Sequence, residues 1–231
     1  MYEQGIDEGL SQTHLDTGIS LGIHESQSRL WENVIGRSPA FWQYLYPRLQ
    51  QAFPAQFGKM AAEEFLRGIN AVRPGMIRVE ADEVTYNLHV LIRFELELAL
   101  IRGEIAARDL PAVWNAKYQE YLGVTVDSNA NGVLQDVHWP HGSFGYFPTY
   151  TIGNLAAAQF WAVYAKDDPQ SDQTLREGNF IKIRQWLTDK IYRHGSVYLP
   201  DTLLKMVTGE GLNSDHFVRY LKKKYGEIAG A

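Results

Sequence analysis

Apolar and aromatic residues recur at intervals of three and four along most of this chain, in stretches that glycine and proline interrupt, and this spacing commits it to packed helices. Phe41, Trp42, Leu45, Tyr46 and Leu49 show it most plainly and predict a helix from Pro39 to Phe53, with Pro47 marking a kink. Leu30, Trp31, Val34 and Ile35 predict another between His24 and Gly36, where Gly36 and Pro39 supply the stop. Further helices are expected at 59–70, 111–122, 151–165, 171–192 and 214–226. The longest is expected from Ala81 to Arg108, its buried side carried by Val84, Leu88, Leu91, Phe94 or Glu95, and Leu98; the alternation of Phe94, Leu96 and Leu98 leaves a strand open there. Met76 to Val79 reads as a short extended segment after the Arg73-Pro74-Gly75 break. Residues 1–23 read as loop with short helical turns, 123–132 as a polar loop, and 132–150 as an aromatic, Gly/Pro-rich segment suited to lining a site. The fold class that follows is mostly α, with at most a small β ribbon.

Composition narrows the function. A formal charge of -5 offers a polyanion no general attraction, so nucleic acid is not an expected partner. The Lys222-Lys223-Lys224 run falls beside Phe217, Leu221 and Tyr225 and reads as the solvated face of a helix. With no cysteine, a metal must take His or carboxylate ligands, and the expected setting is cytoplasmic. No stretch approaches the roughly 18 apolar residues of a spanning helix, so no membrane role is expected.

Several groups could carry chemistry. His24 and Glu25 open a predicted helix, where either could reach a metal; a glutamate in a first turn also suits the helix dipole, and Glu25 with Arg29 makes an ordinary i, i+4 pair. Asp136 and His138 alternate in QDVHW, so extended backbone would point both the same way, as a carboxylate orienting an imidazole or as a buried core histidine beside Trp139. Gly142-Ser143-Phe144-Gly145 lacks the lysine of a phosphate loop; its glycines would let backbone approach a ligand. Tyr146 and Tyr150 could donate to an oxyanion or stack in a core. Arg67 and Arg78 flank the Arg73-Pro74-Gly75 turn and could clamp a carboxylate or lie scattered on the surface.

Taken together, HESQSRLWEN (24–33), IRVEADEVTYNLH (77–89), GVLQDVHW (132–139) and GSFGYFPTYTIGNLAAAQ (142–159) resemble the carboxypeptidase Taq family of zinc metallocarboxypeptidases. The resemblance runs from YEQGIDEGL to the terminal YGEIAGA and implies that residues 1–231 are the C-terminal portion of one helical, cleft-bearing peptidase domain. It implies Glu25 as the third zinc ligand with His24 beside it. Arg78, with Arg67, would bind the peptide's terminal carboxylate. His138 and one of Tyr146 or Tyr150 would steady the oxyanion, and Asp136 would orient a neighbour. The two histidines and the base of HExxH have no counterpart here, so Met1 is read as an internal methionine of a longer parent whose N-terminal half is missing. Zinc, or cobalt, is expected in the intact enzyme and no tight metal in this chain alone. The expected partners are peptide C-termini, the N-terminal half and a second copy. A non-catalytic helical peptide-binding or interaction module is the alternative.

Overall fold

The helical spacing becomes eleven α-helices among residues 1–229, the part of the chain that this computed structural model describes. Gly230 and Ala231, the end of the YGEIAGA stretch, lie outside the described residues. In chain order the helices are α1 (Leu21–Arg29), α2 (Pro39–Ala52), α3 (Pro54–Phe57), α4 (Ala62–Ile69), α5 (Tyr86–Ile101), α6 (Leu110–Leu122), α7 (Pro148–Asp167), α8 (Ser171–Arg176), α9 (Phe180–Lys190), α10 (Pro200–Thr208) and α11 (Ser214–Ala229). No strand occurs among the described residues, so the Phe94–Leu98 alternation belongs to a helix. Met76–Val79 is not extended throughout, because Arg78 opens a 3-10 turn, Arg78–Glu80.

Local chemistry explains the boundaries. Ser20 caps α1 through its hydroxyl, which accepts from the Ile23 N–H, so this helix starts three residues before His24. A π-helical turn, Leu30–Ile35, extends α1, closed by the Gly36 N–H on the Trp31 carbonyl at 2.9 Å. Ser38 caps α2, and Pro39 fits its first turn. The predicted 171–192 helix is two helices, because Gly178 between them sits at φ +68 and any added Cβ would strike the Tyr44 ring. The α10 helix lies between the predicted 171–192 and 214–226 helices, where the sequence spacing predicts none.

The chain divides into two compact units, one of Met1–Asn70 with Ile152–Ala231 and one of Ala71–Thr151. The first has a continuous apolar core that includes Leu30, Ile35, Phe160, Leu175, Ile183, Leu187 and Leu203. Its N-terminal segment is anchored by Tyr2, buried and stacked on Tyr192 at 5.0 Å, and Gly5 packs against the same Tyr192. Helices α1 and α7 approach closely where Gly153 meets Glu25: a Cβ there would lie 2.8 Å from the Glu25 Cγ. Lys224 does not share the solvated face expected of the lysine run; it is buried, with its Nζ 3.1 Å from the Asn33 carbonyl in the π-helical turn.

The second unit packs α5 against α6 around Ile92, Leu96, Trp114, Tyr118 and Leu122, with a smaller cluster of Tyr86, Val90 and Phe147. The face of α5 differs from the sequence expectation. Val84, Leu91 and Phe94 are exposed, while His89, Arg93 and Glu97, spaced by four, are buried. Charged side chains go inside where partners wait for them, and Tyr118, Asp136, Trp139 and Gly145 supply most of these from distant positions, although Arg93 Nη2 and His89 Nε2 have no hydrogen-bond partner among the described residues.

Candidate functional site

In the second unit the buried row of α5 meets the irregular segment after α6. Asp82 prepares the start of the helix: its carboxylate accepts from the N–H groups of Val84 and Thr85 and from the Arg73 N–H. Gln135 pins the Arg78 turn, accepting from the Arg78 N–H at 2.8 Å and donating to the Met76 and Asn131 carbonyls.

Asp136 then receives two guanidinium groups. Arg78 donates from Nε and Nη2 to Oδ1 at 3.0 and 2.8 Å, and Arg93 donates from Nε to Oδ2 at 2.6 Å. Arg78 also donates to the Tyr86 hydroxyl at 2.9 Å, and Arg93 to the His89 carbonyl and the Tyr118 hydroxyl. Arg93 is fully buried, stacked 4.6 Å from the Trp114 ring. Burial alone would raise the Asp136 pKa; the charges of Arg93 and Arg78 outweigh it and hold this carboxyl below the usual range. Two cations share one anion, so the trio keeps a surplus positive charge.

The imidazoles register that field. His89 drops to about 4, chiefly through burial and then through Arg93 and Arg78. His138 is also lowered, by burial first and Arg78 next. Its Nε2 shares a 3.0 Å hydrogen bond with the Tyr150 hydroxyl, and its ring lies 5.3 Å from that of Tyr146. Tyr146 and Tyr150 pack edge to face at 5.4 Å, and the Arg78 guanidinium sits 5.0 Å from the Tyr150 ring.

Four of the expected residues therefore cluster: Arg78, Asp136, His138 and Tyr150, with Tyr146 against the last two. The QDVHW segment is not extended, and the hydrogen bonds of Asp136 go to the two arginines rather than to the His138 ring. Gly142 and Gly145, at φ +76 and +81, serve turn geometry; an added Cβ would meet nothing within 4 Å. The sequence reading missed Arg93, His89, Glu97, Tyr118 and Gln135. The four-residue spacing of His89, Arg93 and Glu97 was the available signal, outweighed by the apolar residues beside it.

In the first unit Glu25 lies within α1, and its Oε1 accepts from Arg29 Nε at 2.8 Å. Burial raises its pKa by more than Arg29 lowers it. His24 is half exposed, 3.7 Å from Glu3 and stacked on Tyr2 at 5.8 Å. Arg67 is exposed on α4 and belongs to this unit, whereas Arg78 belongs to the other. A cavity of about 290 Å³ in the same unit is lined by Ala158, Trp161, Leu175, Arg176 and Arg219 among others, and none of the expected site residues lines it.

Among the described residues no three His, Asp or Glu side chains are placed to share a metal ion. A catalytic zinc takes three protein ligands and an open position. Glu25, one carboxylate already paired with Arg29, does not make such a centre, and the residues present do not by themselves fit zinc.

A sequence profile of the carboxypeptidase Taq (M32) metallopeptidases matches residues 1–225. The chain belongs to this family. Carboxypeptidase 1 of Bacillus subtilis is 48% identical to it over 228 residues, which cover 99% of this chain and 46% of that protein. Thermostable carboxypeptidase 1 of Thermus thermophilus is 47% identical over 230 residues, 100% of this chain and 45% of that one. Among solved structures, the M32 carboxypeptidase of Deinococcus radiodurans R1 matches with a TM-score of 0.96 at 43% identity, covering 100% of this chain and 46% of that one. Trypanosoma cruzi metallocarboxypeptidase 1 matches with a TM-score of 0.92 at 41% identity, over 97% and 47%. This M32 chain thus spans slightly under half the length of the relatives it matches. Its mostly α fold is the one expected, and no described helix is long and apolar enough to cross a membrane.

Proposed function

We propose that this chain supplies part of the active centre of a zinc-dependent metallocarboxypeptidase that removes single residues from peptide C-termini, and that the chain alone has little or no turnover. The observation that carries the proposal is the surplus positive charge of Arg78 and Arg93 over Asp136, held beside the His138–Tyr150 pair. In a half-dry site such a field favours an anion, and a peptide's free carboxylate is the anion that distinguishes a carboxypeptidase substrate. His138, kept neutral by its lowered pKa, can donate a hydrogen bond to a developing oxyanion without adding charge, with Tyr150 or Tyr146 as the second donor. Asp136 holds both guanidinium groups in place. Arg67 is a second cationic arm for the substrate, Glu25 one ligand of the metal, and His24 its neighbour. The other two donors come from outside these 231 residues, so no step is assigned to the metal.

Residues 1–231 are read as the C-terminal portion of a single peptidase domain, which acts in the cytoplasm and pairs with a second copy. Sedimentation of the full-length protein tests the pairing. The test of the central reading is calorimetry with a peptide bearing a free C-terminus and with its amide. Tighter binding of the carboxylate by tenfold or more, about 1.4 kcal/mol, lost in Arg78→Met, is the expected result. Equal affinity for acid and amide would remove the clamp. Zinc-dependent release of terminal residues by the pure chain, abolished by Glu25→Ala, would overturn the need for outside donors. Carboxylate binding with no hydrolysis even in a full-length protein would favour a non-catalytic peptide-binding module.

A further inference from the structure

Glu97 lies one turn beyond Arg93 on α5 and is buried, yet no cation stands within salt-bridge distance of it among the described residues. Both oxygens are committed instead to the loop that carries His138 and Tyr146. Oε2 accepts from the Trp139 indole N–H at 2.8 Å, and Oε1 accepts from the Gly145 N–H. Trp139 directly follows His138, and Gly145 directly precedes Tyr146. The loop between them is exposed at Pro140, His141, Gly142, Phe144 and Gly145, so little burial fixes it. Its internal bonds are the Gly142 N–H to the Trp139 carbonyl and the Ser143 N–H to the His138 carbonyl.

We propose that Glu97 is a positioning residue for the site: its carboxylate bridges Trp139 and Gly145, and so sets the His138 imidazole against Tyr146 and Tyr150. The assignment rests on the functional reading of His138 above, but the geometry it claims can be tested apart from it. A carboxylate is needed because two N–H donors arrive at its two oxygens. Glutamine would turn an NH2 toward one of them, leaving a buried donor facing a donor.

The groups acting on His138 are Arg78, Asp136, Arg93 and His141, with the rings of Tyr146, Phe147 and Tyr150 in contact. None is altered by Glu97→Gln. The experiment follows the His138 ring and the Trp139 indole N–H by NMR over a pH titration of this chain, native and Glu97→Gln. The expected result is a displaced Trp139 N–H signal and a His138 pKa raised toward its ordinary value by roughly half a unit or more, while the His89 ring stays put. A folded Glu97→Gln protein with an unmoved His138 titration overturns the proposal. Should Glu97→Gln lose its helical signal, Trp139→Phe, which removes one donor and keeps Glu97, must shift His138 in the same direction; an unmoved His138 there overturns it equally. Arg78→Met separates the two readings. If that variant retains the acid-over-amide preference, the carboxylate clamp fails while the Glu97 result stands.

Discussion

Glu25 and Asp136 are both carboxylates beside arginine, one in each unit, and their surroundings have opposite effects. Asp136 is gripped by two guanidinium groups, and its pKa falls despite burial. Glu25 has one close partner, Arg29, and its pKa rises because burial outweighs that partner. The unit around Glu25 is held by an apolar core, and its carboxylate is paired within α1 to Arg29 one turn on. The unit around Asp136 has smaller apolar clusters and uses buried charge to join α5, the Arg78 turn and the segment after α6. A carboxylate that ties separate elements together is costly to remove, while one paired only with its own helical neighbour costs less.

This contrast can be broken by measurement. Asp136→Ala strands two buried guanidinium groups and is expected to cost about 3 to 5 kcal/mol in urea denaturation; a loss under about 1 kcal/mol would show that the trio does not hold its unit together. Acid sharpens the same point. His89 has a folded pKa of about 4 against an unfolded 6.5, so the unfolded chain binds the extra proton between those values. Stability is therefore complete above about pH 6.5 and falls, by up to roughly 3 kcal/mol, as pH drops toward 4. Denaturation midpoints across that window, native against His89→Gln, should diverge; parallel curves would remove His89 as the cause.

In the other unit, Gly153→Ala is expected to cost about 1 to 3 kcal/mol, because the new methyl meets the Glu25 side chain and the backbone of α1. An unchanged thermal midpoint would mean that α1 and α7 can separate freely. Arg29→Met is the smallest effect, about 1 kcal/mol or less in stability, with the Glu25 pKa pushed further up. A loss as large as that of Asp136→Ala would erase the difference between the two carboxylates.

Much of this was legible in the sequence where the determinants are local. The stop at Gly36 and Pro39, the α2 and α6 helices and the irregular segment up to residue 147, where α7 begins earlier than expected, follow from side-chain period and turn residues, which act within a few positions. The motifs carrying the family resemblance are short and contiguous, and the family match bears them out. On α5 Leu88 packs against the core as expected, but Leu91 and Phe94, core by hydropathy, are exposed, while Arg93, surface by hydropathy, is buried. Only knowledge of Asp136, 43 positions away, reverses that judgement.

From its sequence alone, then, this protein had most of its helices and its family. Which carboxylate grips which arginine, and which face of α5 turns inward, only the tertiary structure decided. A buried charge is tolerable only beside a partner, and here the partners are brought together by folding rather than by spacing along the chain.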